Sequence, residues 1–88
     1  MITAENILSH ELIGLHTEVV NASNSHVIGL NGRVVDETKS MIRINTITGI
    51  KSIPKSLVDF KFTVDNNNII VNGSKISKRP FDRLGGKA

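Results

Sequence analysis

The 88-residue sequence contains no cysteine, no tryptophan and no tyrosine. Without thiols the chain can hold neither a disulfide nor a thiolate metal site. Its aromatics are three phenylalanines, Phe60, Phe62 and Phe81. Proteins that grip single strands by stacking depend on aromatic platforms worth about 1–3 kcal/mol per base, and this chain has few to offer. No apolar run approaches the ~18 residues of a membrane-spanning helix, and the opening MITAENILSHEL lacks the basic stretch of a signal peptide. A soluble cytoplasmic protein is the expectation. On that expectation the glycosylation-like triplets at Asn21 and Asn72 read as turn chemistry.

Positive charge is missing from the first third. Residues 1–32 contain no Lys or Arg and three acids, Glu5, Glu11 and Glu18, while all 11 basic residues fall between Arg33 and Lys87 against five acids. A split of this size favours a polyanion, nucleic acid first among them, as partner of the later two-thirds, and protein as partner of the first third. The bland alternative is ordinary solvated charge. With so few aromatics, binding should run through Lys and Arg to phosphates and RNA shape, and so be salt-sensitive with little sequence reading.

What is present is period-two patterning. Val27 to Thr46, VIGLNGRVVDETKSMIRINT, reads as a hairpin of two β-branched halves separated by DETKS. Ile28, Leu30, Val34, Ile42 and Ile44 then share one face, with Arg33 and Arg43 on the other. Further strands are expected at Thr17–Asn21, at Gly49–Lys55 closed by Pro54, and at Leu57–Val64 with Phe60, Phe62 and Val64 inward. Asp65 to Asn68 reads as a turn. Ile69–Val71 runs into Asn72-Gly73, a strong hairpin signal, with Lys75-Ile76 returning. Thr3 caps a short helix to about Ile13, ended by Gly14, whose stripe of Ile7, Leu8, Leu12 and Leu15 packs on the sheet or on a partner protein. One helical turn is expected from Pro80. The sum is an all-β chain, a small six-stranded antiparallel barrel with a short N-terminal helix and a C-terminal helical turn. It divides into an N-terminal helical segment (1–16), a barrel (17–77) and a basic tail (78–88).

No catalytic constellation survives inspection. His10-Glu11 followed by His16 lacks the four-residue spacing of a zinc-protease helix, and nothing in the spacing of His10, His16 and His26 requires a metal. Asp36-Glu37 reads as turn chemistry, since adjacent carboxylates point apart. Gly85-Gly86-Lys87 lacks the rest of a phosphate-binding loop. Gly29-Leu30-Asn31-Gly32 fits the GXXG loop of KH domains, but that loop joins two helices and here a strand and a turn follow. A chain this short has no room for a deep catalytic cleft.

The combination HELIGL, GLNGRVVDETKSMIRI, IPK and VNGSKISKRPFDRL resembles the archaeal ribonuclease P protein subunits homologous to the eukaryotic twenty-nine-kilodalton subunit, the Pop-four family. The likeness covers nearly the whole chain in order, and VVDET and RP-DRL are its most specific parts. It implies a six-stranded Sm-like barrel. It also implies a non-catalytic, RNA-binding subunit that, with a zinc-ribbon partner, supports the specificity domain of ribonuclease P RNA in 5′ maturation of precursor tRNA. The RNA would carry the chemistry with magnesium, so no cofactor and no catalytic residue are expected in this chain. The family's basic positions match Arg33, Lys39, Lys55, Arg79 and Arg83; strand alternation and local charge add Arg43, Lys51 and Lys78. Ile7, Leu8 and Leu12 are the candidate partner-binding residues. Phe81 departs from the pattern, which usually has an acid between Pro80 and Asp82, and the chain is short at both ends relative to longer members. The competing reading is an SH3-like or Sm-like interaction module that binds no RNA.

Overall fold

The computed structural model describes residues 7, 10–56 and 58–78. Six strands form one antiparallel sheet: β1 (His16–Ala22), β2 (Asn31–Glu37), β3 (Met41–Thr46), β4 (Gly49–Pro54), β5 (Val58–Val64) and β6 (Asn67–Asn72). Two short 3-10 turns, Ser25–Val27 and Gly73–Ile76, lie between β1 and β2 and after β6. The strand order is β4-β3-β2-β1-β5-β6, so the first strand sits between two local units, the β2–β3–β4 meander and the β5–β6 hairpin.

Period-two alternation decides which side chains form the core. Along β5, Val58, Phe60, Phe62 and Val64 are buried and the residues between them are only half-buried. Phe60 and Phe62 lie on the same side of the strand with ring centroids 5.9 Å apart. They meet Val19 of β1 and Ile69 and Val71 of β6, while Val34, Ile42, Ile44 and Ile53 bring the meander to the same core. Each such side chain, fully withdrawn from water, contributes about 1.5–3 kcal/mol. One residue is skipped in the ladder in β1, between Val19 and Asn21, and one in β2, between Val34 and Asp36. Bulges of this kind sharpen twist and curl a sheet toward its own inner face. The sheet is barrel-like, but β4 and β6 remain at the two ends of the pairing order, so it is not hydrogen-bonded into a closed ring among the described residues.

Several local expectations change. Residues 10–15 form no helix: Leu15 N–H donates to Leu12 C=O, a single turn, with Gly14 at φ +97°. Backbone groups that a helix would need are taken by β2, since Gly14 N–H donates to Val34 C=O (2.8 Å) and Val34 N–H to Leu15 C=O (2.9 Å). A three-turn helix is marginal alone, and strand pairing outweighs it. The rest of the expected helix and the turn at Pro80 lie outside the described residues. Ile28 is exposed and Leu30 only half-buried, because strand β2 begins at Asn31 after the 3-10 turn.

Asn72-Gly73 does not make a hairpin either. Asn72 caps the following 3-10 turn, its Oδ1 accepting from Ser74 N–H (2.9 Å), so Lys75 and Ile76 are not in a strand. Glycine is needed at 73 for close approach: a Cβ there would stand 1.7 Å from Lys55 O. The tight two-residue turn is Asp65-Asn66 instead, with φ of 49° and 67°, the pair of positive values that suits strand twist.

Candidate nucleic-acid interface

Strand register assigns each cation to a face. Arg33 pairs with Asn45 and Asp36 with Arg43, which in turn pairs with Ser52, so Arg33 and Arg43 share the outer face. Both are exposed. The Arg33 guanidinium also donates to Gly14 C=O, which ties its stem to the segment before β1. Lys39 is exposed in the β2–β3 turn. Lys51 pairs with Ile44 and therefore faces opposite to Arg43; it is exposed because β4 is an end strand with no neighbour beyond it. Lys75 and Lys78, in and just after the last 3-10 turn, are exposed as well. Arg79 and Arg83 lie outside the described residues.

Two ion pairs occur among the described residues, Lys61–Glu18 (3.1 Å) and Lys55–Glu37 (2.7 Å). The first is partly solvated and joins cross-strand neighbours on the outer face; such pairs are worth at most about 1 kcal/mol. Lys39, Arg43, Lys51, Lys75 and Lys78 belong to neither, so their charge remains available to a polyanion.

Lys55 is the correction. Expected on the RNA surface, it has 0% exposure. Its Nζ donates to Glu37 Oε2 (2.7 Å) and to Lys78 C=O (3.0 Å), and Gly73 packs on its backbone carbonyl. Glu37, expected in a turn, is the last residue of β2 and points inward beside Ile42's position. An ammonium in this position cannot reach a phosphate without taking the core apart. Alternation held part of the signal, since Lys55 is two residues after inward Ile53; the bulge at Val35 hid the partner by reversing the faces of Asp36 and Glu37.

The partner-binding residues change role too. Ile7 and Leu12 are fully buried in the chain's own core and offer no docking surface; Leu8 lies outside the described residues. Among the described residues, the exposed large apolar side chains are instead Ile13, Ile28, Val35, Ile47, Ile50 and Ile70. Two of the shallow hollows among the described residues are one of about 290 Å³ among Ala22, Val27, Pro54 and Val58 and one of about 310 Å³ between Gly29–Asn31 and Thr46–Thr48. Neither is lined by a charged or imidazole side chain, so neither brings together groups for acid–base or nucleophilic chemistry.

A family model described as ribonuclease P/MRP, subunit p29, matches residues 5–86. Ribonuclease P protein component 1 of Nitrosopumilus maritimus is 64% identical over 88 residues, covering 100% of both chains. The protein of the same name from Methanosphaera stadtmanae is 42% identical over 88 residues, covering 99% of this chain and 95% of its own. Among solved structures, that of Mth11, a homologue of human RNase P protein Rpp29, superposes with a TM-score of 0.61 at 33% identity, covering 84% of this chain and 97% of Mth11. The p29 model spans the motifs VVDET, IPK and RP-DRL together with the strands that carry the first two, and the chain belongs to the ribonuclease P/MRP subunit p29 family.

Proposed function

We propose that this ribonuclease P subunit binds the RNA of the enzyme directly and, with a zinc-ribbon partner subunit, supports the RNA's specificity domain during 5′ maturation of precursor tRNA. The observation that carries the reading is the set of exposed cations, Arg33, Arg43 and Lys51 on strands, Lys39 in the β2–β3 turn, and Lys75 and Lys78 in and after the last 3-10 turn, in a chain whose family is a ribonuclease P subunit. Each phosphate contact releases condensed counterions, so affinity should fall steeply with salt. The chain is an accessory in this scheme: RNA and magnesium perform hydrolysis, and the protein supplies charge neutralisation and shape. No helix among the described residues is long and apolar enough to cross a membrane.

Reconstitution tests this. Adding the chain with the zinc-ribbon subunit to a ribonuclease P RNA should lower the magnesium needed for cleavage, and a filter-binding salt titration should give a steep slope. Replacing Arg79 and Arg83 together by Ala should flatten that slope by about one unit per lost phosphate contact. A chain that is not retained on RNA at moderate salt, and runs as a symmetric homo-oligomer, would instead be a protein-interaction module; the fully exposed Ile47 beside its apolar hollow is the feature on that side.

A further inference from the structure

We infer that Lys55 is a positioning residue for RNA binding: its buried ammonium fixes the chain where it leaves the sheet and so sets the direction in which Lys75 and Lys78 are presented. This rests on the RNA-binding reading above and adds to it a residue that never touches RNA.

Three observations converge on that exit. Lys55 Nζ, fully buried, bridges Glu37 Oε2 at 2.7 Å and the backbone carbonyl of Lys78 at 3.0 Å, so one side chain joins the ends of β2 and β4 to a point 23 residues further along. Gly73 lets the 3-10 turn settle directly on the Lys55 and Val58 carbonyls, an approach any Cβ would block. Within the turn, Ser77 Oγ donates to Gly73 C=O (3.0 Å), Lys78 N–H donates to Ile76 C=O (2.8 Å), and Ile76 is buried. Lys75 and Lys78 flank this anchored stretch with their side chains exposed, and Arg79 follows Lys78 in the sequence.

Stability alone is a poor reason for such an arrangement. Two buried charges lose their hydration, and an apolar pair of similar volume commonly serves the fold as well or better. What an apolar pair cannot supply is a directional donor to a particular carbonyl. Charge-assisted hydrogen bonds are short and geometrically demanding, which suits a contact whose role is to aim a segment. Electrostatic recognition of a structured RNA depends on where the cations stand, so an exit free to swing would dilute the contacts of Lys75 and Lys78 without removing their charge.

The test compares the full-length chain with Lys55→Met/Glu37→Met, which removes both buried charges together, in a filter-binding salt titration on a folded ribonuclease P RNA transcript. The Met pair should melt as cooperatively as the parent. It should bind roughly tenfold more weakly, with a salt slope lower by about one to two units, as two phosphate contacts would give. In a Lys75→Ala/Lys78→Ala background the Met pair should have no further effect, since it acts through those residues. A folded Met pair with parental affinity and slope overturns the inference, as does a full additional loss in the Ala background, and in either case the RNA-binding reading stands. A parent chain that shows no salt-dependent binding overturns both. Should the Met pair not fold, Lys55→Gln/Glu37→Gln carries the same comparison with polar groups retained at both positions.

Discussion

Lys55 Nζ stands 2.7 Å from Glu37 Oε2 with both side chains fully buried, so the VVDET and IPK segments meet inside the protein. VVDET, one of the two most specific parts of the family likeness, thus supplies Glu37 to an internal ion pair. Its loss should be asymmetric. Lys55→Met alone removes the ammonium beside a buried carboxylate and should cost about 3–5 kcal/mol, whereas Lys55→Met/Glu37→Met should return to within about 1 kcal/mol of the parent. Urea denaturation of both variants measures the difference, and equal destabilisation by the single and double changes would contradict it.

Gly73 and Gly49 should respond differently to the same methyl group. At Gly73 the new Cβ meets the Lys55 carbonyl oxygen at 1.7 Å, so Gly73→Ala should cost about 3 kcal/mol through forced displacement of backbone. Gly49 has open space around it and φ +117°, so Gly49→Ala should cost only about 1–2 kcal/mol of conformational strain. Paired thermal melts would rank them.

Leu12→Ala should destabilise the fold by about 2–5 kcal/mol, the range for a fully buried leucine. Ile47→Asp, at a fully exposed turn position, should stay within about 0.5 kcal/mol. A stable Leu12→Ala protein that merely lost a partner in co-purification would return this residue to the surface.

Arg43 and Lys51 point to opposite faces of adjacent strands. An RNA helix resting on one face of the sheet can use one of them, so of Arg43→Ala and Lys51→Ala only one should lower the salt slope by about one unit. Equal loss in both would mean that the RNA wraps the β4 edge.

Much of this fold can be read from alternation, because a strand buried on one side repeats every two residues whatever its neighbours are. Phe60, Phe62 and Val64 show it without interruption, and all three are core. Ile42 and Ile44 inward with Arg43 outward follow the same rule. Legibility fails where a long-range contact overrides a local preference. Residues 10–15 carry a helical stripe, yet their backbone serves β2. Asn72-Gly73 has hairpin composition, yet the glycine answers to a carbonyl of Lys55. The candidate interface was legible for charge and only partly for position. Arg33, Lys39, Arg43, Lys51 and Lys78 are exposed, while Lys55 needed the pairing across a bulge to be seen as internal.

The place of β1 between two local units also bears on the order of folding. β2–β3–β4 and β5–β6 each join neighbours in sequence through short turns, and such contacts close early. β1 precedes the other strands but pairs with β5, Thr17 opposite Phe62, across about half of the 88-residue chain. Its pairing is complete only once β5 is there to receive it, so docking of β1 between the two local units is the expected late step. Transition-state values near zero for Val19 and well above zero for Ile42 and Ile44 would be the kinetic mark of that order.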